Sequence, residues 1–347
     1  MNNKSYKALL LSLMAACALS MPVMAGETEA DASSVPTEDR AGNAISVPDE
    51  VSSIISMAPS TTQFLIDLGL ADSIIACDTY SYDAFSDSLP ADIPQYDMMS
   101  PDNESLIALQ PDIIFTTGMS YVGGDDVYAA VREAGLCIAD IPSSESLADI
   151  EEDLLFIGSC VGKYDESAAI ADEMETMKAE LSELGSAIAE EDKKTVLYEL
   201  STPTADYPTI YTTGTGTYID ELINLIGAVN VCADQTSWAT LSEEAAIALN
   251  PDVIITADTY TPDVVDTLLN LEGWETVTAV SGKQVYQLAL ADTMSRPNQH
   301  VFSAALEMAA DIYPEIFADI EDPFAAGTAA AESASTEAET AALDEAA

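Results

Sequence analysis

One stretch of this chain occurs twice. Glu104-Ser-Leu-Ile-Ala-Leu-Gln-Pro-Asp-Ile-Ile-Phe-Thr116 returns 140 residues later as Glu244-Ala-Ala-Ile-Ala-Leu-Asn-Pro-Asp-Val-Ile-Ile-Thr256. Each copy reads as the end of a helix, a Pro-Asp turn and a β-branched run suited to a buried strand. The preceding segments match more loosely: Ser60–Gly69 runs into Ile74–Asp78, and Gly216–Gly227 runs into Val229–Asp234. A period near 140 is too long for a solenoid. It describes two homologous α/β lobes, and a cleft between lobes is a usual place for a ligand.

Strand-like runs at Ile54–Ala58, Ile74–Cys77, Ile113–Thr116 and Leu136–Ile141 alternate with helical or loop stretches. That alternation argues for a parallel sheet covered on both faces, one Rossmann-like layer per lobe. From about Asp165, apolar residues fall three or four apart at Ala168, Ala171, Met174, Met177, Leu181, Leu184 and Ile188. This spacing predicts one long helix, with Asp165 and Glu166 at its positive end. The second lobe opens at Thr195-Val-Leu-Tyr-Glu199. The organisation expected is a signal peptide over 1–25, a flexible acidic leader over 26–44, and an N-terminal lobe over 45–163. A connecting helix over 164–190, a C-terminal lobe over 191–318 and a disordered Ala/Glu-rich tail over 319–347 follow.

The signal reading rests on Lys4 and Lys7, the apolar run Ala8–Met21, and Val23-Met24-Ala25 before Gly26. A lipid attached at Cys17, within Met14-Ala-Ala-Cys17, is the competing reading. It is disfavoured by the Met three before the Cys and by the apolar residues after it. Either way the chain is extracytoplasmic. Ten basic against 61 acidic side chains give −51, and losing Lys4 and Lys7 with the signal leaves −53. A field of that sign repels phosphate backbones, so no nucleic-acid partner is expected. Cys77, Cys137 and Cys232 lie in strand-like apolar runs, where free Cys packs as a small hydrophobe. With Cys160 they are expected to be free thiols ahead of disulfides.

Catalytic motifs are lacking. There is no Gly-x-Ser-x-Gly elbow, His-Glu-x-x-His is absent, and the lone His300 cannot supply a multi-His zinc set. No catalytic or metal-ligating residue is assigned and no cofactor is expected. Aromatic residues, by contrast, gather in loops after the strand-like runs: Tyr80, Tyr82, Tyr96 and Tyr121 in the first lobe, and Tyr207, Tyr211, Trp238 and Tyr260 in the second. Ligands of open parallel sheets sit at the carboxyl ends of strands. These side chains therefore suggest a large, flat, partly apolar ligand.

Ile55-Ser-Met-Ala-Pro-Ser-Thr-Thr-Gln-Phe64, Leu68-Gly-Leu-Ala-Asp72, Gly216-Thr-Tyr-Ile-Asp-Glu221, Ser237-Trp238, Asn250-Pro-Asp252 and Ser295-Arg-Pro297 together carry a family resemblance. Over about 45–318 the chain resembles the cobalamin and iron-siderophore class of substrate-binding proteins of ABC importers. The resemblance implies two Rossmann-like lobes joined by one long helix, a metal chelate held between them, no catalysis, and a monomer that docks on a membrane permease. It also implies that Glu104 and Glu244, at matching repeat positions, engage permease arginines. Trp238 aligns with an aromatic that contacts ligand in cobalamin-binding relatives. Arg296 is the best candidate for a polar or anionic group on the ligand. Gln95-Tyr96 replaces the usual Gly-Gly after the second strand, and Arg40, Arg132 and Arg296 are the only arginines. A strongly anionic catecholate would be hard to neutralise with so few bases, so cobalamin or a hydroxamate siderophore ranks above it, and haem is an alternative. An exported enzyme or a surface-interaction protein reusing the fold are the competing classes.

Overall fold

The computed structural model describes residues 34–325 apart from 122, 205 and 206. Five parallel strands build the first lobe: β1 (Ile54–Ser56), β2 (Ile74–Asp78), β3 (Gln95–Tyr96), β4 (Ile113–Thr117) and β5 (Ile138–Ile141), in the order β3-β2-β1-β4-β5. In the second lobe β6 (Thr195–Glu199), β8 (Val229–Asn230), β10 (Val253–Thr256) and β11 (Val285–Gln287) run parallel in the order β11-β10-β6-β8. An antiparallel pair, β7 (Thr209–Thr213) with β9 (Trp238–Ser242), is added there. In both lobes the first strand is central and the chain then builds outward on each side, so β1 corresponds to β6 and β4 to β10. Ile54–Ser56 and Val253–Thr256 are buried throughout, as expected of parallel strands covered on both faces.

The repeat has a physical explanation. Its first half forms the equivalent seven-residue helices Asn103–Leu109 and Glu243–Leu249, capped by Asp102 and Ser242. Each helix ends on a left-handed residue, Gln110 at φ 49° and Asn250 at φ 47°, and the proline that follows forbids another helical turn. The Asp after that proline then clamps the start of the central strand. Asp112 Oδ2 accepts from the amides of Ser52 and Ser53 (both 2.9 Å) and from both hydroxyls. Asp252 Oδ2 accepts from the Thr195 amide (3.0 Å) and hydroxyl (2.8 Å). The Pro-Asp motif thus fixes where β4 and β10 enter their sheets.

The connecting helix is Tyr164–Ser186, 23 residues and about 34 Å long. Met174, Met177 and Leu181 enter a core that continues into both lobes, through Ile113 on one side and Val196 and Ile219 on the other. Gly185 sits where the helix meets the second lobe. A methyl group there would run into the Leu225 carbonyl and the backbone of Gly227. Further ties join the lobes. Glu221 accepts from the Leu147 amide (2.9 Å), and His300 Nε2 lies 2.8 Å from Asp67.

Two composition-based expectations need correction. The acidic leader is not free over its second half. Asp39 is buried and accepts from its own turn (Ala41 and Asn43 amides) and from the Asp140 amide (3.0 Å), while Arg40 pairs with Asp153 (2.6 Å) and Glu152 (2.7 Å). The start of the expected tail is likewise packed. Phe324 is buried 6.2 Å from the Phe302 ring, and its carbonyl lies 3.0 Å from His300 Nδ1. In both cases a few specific side chains outweigh a low local hydrophobicity. The signal segment, Cys17 and residues 326–347 lie outside the described residues. Cys77, Cys137, Cys160 and Cys232 are free thiols, and burial pushes Cys77 up to about 12.

Candidate functional site

A cavity of about 310 Å³ lies between the lobes, within the range of small-molecule sites. Its first wall is made by residues that follow strands: Ala58-Pro59-Ser60-Thr61 after β1, Thr117 and Met119 at the end of β4, and Pro142-Ser143-Ser144 after β5. Ligands of open α/β sheets bind at the crevice where strand order reverses, here between β1 and β4. Pro59 opens the helix Pro59–Asp67, whose N-cap Ala58 offers no side-chain acceptor and whose first turn carries no acid. Its first amides are therefore left to face the cavity. The opposing wall comes from the second lobe: Leu200, Tyr218 and Ile219, Trp238, and Ser295-Arg296-Pro297.

Two charged residues line this space. Asp153 holds Arg40 on one oxygen and the Ser144 hydroxyl on the other (2.9 Å). Burial pushes its carboxyl up to about 6, against the opposing pull of Arg40. Arg296 lies 3.1 Å from Asp292 and 5.3 Å from the centre of the Phe85 ring. Burial lowers its pKa, and Asp292 and Asp78 act the other way. The wall is otherwise hydroxyl and apolar.

Trp238 begins β9 opposite Thr213, and Tyr211 pairs with Thr240 two residues on. Such diagonal neighbours on one face of an antiparallel pair are within aromatic reach. Trp238 and Tyr211 are 54% and 55% exposed, so the aromatic face begins in the cavity and continues outside it.

Of the eight residues expected to bind ligand, the cavity brings together Trp238 and Arg296. Tyr211 adjoins it through Trp238. Tyr80 and Tyr260 are exposed and outside the lining, as is Tyr207. Tyr82 and Tyr96 are part-buried against the first lobe's hydrophobic clusters. Tyr121 is tied down, donating to Asp140 (2.8 Å) and accepting from Arg132 (2.8 Å). Sequence reasoning missed Asp153 and the hydroxyls of Thr116, Thr117, Ser143 and Ser144. The signal available for the hydroxyls was their position at the end of β4 and just after β5; Asp153, inside a helix, carried none.

Glu104 and Glu244 are exposed in the first turns of the equivalent helices. Each helix runs antiparallel to the strand it feeds, so its first turn lies at the carboxyl edge of its sheet. Both acids therefore sit on the edge that carries the cavity. The Glu244 carboxyl is held low by its own amide and the Ser242 hydroxyl. Among the described residues no group of three or more His, Cys, Asp or Glu could hold a metal, and no helix is long and apolar enough to cross a membrane.

The periplasmic binding protein family model matches residues 54–289. The chain is 27% identical over 286 residues to an uncharacterized ABC transporter substrate-binding lipoprotein, YvrC, of Bacillus subtilis, covering 82% of this chain and 87% of that one. It is 26% identical to a cobalamin-binding protein of Halobacterium salinarum over 63% of this chain and 57% of the relative. A molybdate-binding protein, MolA, of Haemophilus influenzae is 25% identical over 82% and 86%. Among solved structures, MolA bound to molybdate superposes with a TM-score of 0.67 at 19% identity, covering 82% and 92%. The vitamin B12 binding protein BtuF of Vibrio cholerae gives 0.62 at 21%, covering 79% and 100%. The chain belongs to the periplasmic binding protein family and is an extracytoplasmic substrate-binding protein.

Proposed function

We propose that this protein captures a metal chelate with a flat face, cobalamin or a ferric hydroxamate, and hands it to the permease of an ABC importer. The observation that carries the reading is the aromatic face of Tyr211 and Trp238, which starts in the interlobe cavity and runs out of it. A ligand using all of that face is larger than the cavity. Arg296 is the group for a polar or anionic substituent, with the Asp153–Ser144 pair opposite for a hydrogen-bond donor. Tyr80 and Tyr260 are rim residues in this reading, and no ligand role is proposed for Tyr82, Tyr96 or Tyr121. The function is binding without catalysis, by a monomer. Exposed carboxylates at equivalent points of two lobes form a two-point dock for cations, which is the role proposed for Glu104 and Glu244.

A second reading is a small oxyanion. The limited cavity volume, the uncapped helix start at Ala58 and a lining that joins several hydroxyls with a single arginine favour it. Titrating the protein with cyanocobalamin, ferrichrome, ferrioxamine B, hemin and molybdate separates the two. A chelate that binds, with molybdate inert, supports the first reading, and molybdate alone supports the second. In the first case, Glu104→Ala with Glu244→Ala leaves solution affinity unchanged and impairs uptake. Loss of solution affinity in that double variant would contradict the docking role.

A further inference from the structure

Each lobe has its own crevice at the point where strand order reverses. In the first lobe the crevice between β1 and β4 opens on the interlobe cavity. Its counterpart in the second lobe lies between β6 and β10; Leu200, just after β6, reaches that cavity, but Glu199, Thr202, Thr256 and Asp258 do not line it. Glu199 ends β6 and Thr256 ends β10, paired in register, so their side chains rise from the same face of the sheet. Asp258 follows two residues later. Its carboxylate accepts from the Thr202 amide (2.9 Å), the Tyr260 amide (2.8 Å), and the Thr261 amide (3.1 Å) and hydroxyl (2.7 Å). The loops after β6 and β10 are thereby drawn together over Glu199.

Glu199 is 1% exposed, and no donor meets either of its carboxylate oxygens with hydrogen-bond geometry. The Thr202 hydroxyl, 6% exposed, is also unpartnered. The Thr256 and Thr202 hydroxyls lie near the carboxylate but are not aligned on it. Burial pushes the Glu199 carboxyl up to about 7, against the opposing pull of the Thr256 hydroxyl, so its ionised form is costly here unless a cation stands beside it. Every group converging here is an oxygen donor, with no sulfur or imidazole. Such a set suits hard cations and not zinc or copper.

We propose that this crevice binds one hard divalent cation of the calcium type. Glu199 chelates it, the Thr202 hydroxyl and Asp258 complete the protein's share, and water fills the remaining positions. The cation would brace the loop carrying Tyr260 beside the ligand cavity. This site is independent of the imported ligand and departs from the sequence-based expectation of no cofactor.

The test uses the full chain stripped with EDTA and titrated calorimetrically with Ca²⁺ and Mg²⁺ in 0.15 M salt. Salt at that level screens weak uptake by the acidic surface. The expected result is one saturable Ca²⁺ equivalent with Kd of about 1 mM or tighter. That equivalent is weakened at least ~tenfold in Glu199→Gln, as losing a charged chelating ligand implies, and is unchanged in the exposed-acid control Glu272→Gln. Thr202→Val weakens it as well and serves if Glu199→Gln does not fold by circular dichroism. Only non-saturating uptake by the wild type, or a site that survives Glu199→Gln, would overturn the proposal.

Discussion

The two lobes share a scaffold and differ in chemistry, and the difference sits at their carboxyl edges. In the first lobe the buried polar groups beside the end of the central strand are satisfied. The Thr62 hydroxyl links Ser56 (2.7 Å) and Ser81 (2.8 Å), and the buried Asp78, the N-cap of the helix that carries Ser81, accepts from the Ser81 amide and hydroxyl. In the second lobe the equivalent central strand ends in Glu199, buried and unpartnered. That lobe also adds the β7–β9 pair that carries Trp238 and Tyr211. Helix, Pro-Asp clamp and strand are retained because they fix the sheets. The ends of the strands lie beyond these clamps and differ between the lobes.

The largest effect should come from breaking the joint between the lobes. Gly185→Val places a branched side chain against the backbone of Leu225 and Gly227, where neither neighbour can swing aside. A loss of about 3 kcal/mol is expected in urea unfolding, and an unchanged midpoint would show that the helix does not need this close approach.

The charged wall of the first lobe gives the next effect. Asp153 in the folded protein titrates at about 6, above the ordinary carboxyl value of 3.8. The folded state therefore keeps a proton that the unfolded chain releases between about pH 4 and pH 6. Stability should fall as pH rises through that window and level off above it, by about 2–3 kcal/mol in all. Asp153→Asn should flatten this part of a melting-temperature profile. A slope equal to the wild type's would place its origin elsewhere.

The clamps compare the lobes directly. Asp112 accepts four hydrogen bonds at the start of the first lobe's central strand, and Asp252 accepts two. Asp112→Ala should cost about 2 kcal/mol and Asp252→Ala about 1 kcal/mol, both mostly from stranded donors. Equal costs in matched urea titrations would mean that the extra serine contacts contribute nothing.

The sequence revealed the scaffold more readily than the site. Glu104–Thr116 and Glu244–Thr256 match because the clamp needs Pro, Asp and a β-branched strand in fixed order. Strand boundaries such as Thr195–Glu199 follow from the same burial pattern. Individual site residues follow no such period. In sequence Tyr82, Tyr96 and Tyr121 read as the same kind of position after a strand as Trp238, but packing or the Arg132–Asp140 pair takes them up. Asp153 lies mid-helix, and its role as cavity wall depends on Arg40, 113 residues away. Composition gave no hint of that partner.

In the proposed function, ligand is held between unlike walls at Trp238. The chain has two tryptophans, Trp238 at the cavity and Trp274 sealed in the second lobe's core at 1% exposure. A fluorescence titration of wild type and Trp238→Phe with the ligand that binds is therefore the direct measurement. Saturable quenching is expected in the wild type, with its loss in Trp238→Phe and affinity weakened roughly tenfold when Trp238 is cut back to Ala. Quenching that persists undiminished in Trp238→Phe, at unchanged affinity, would contradict that placement of the ligand.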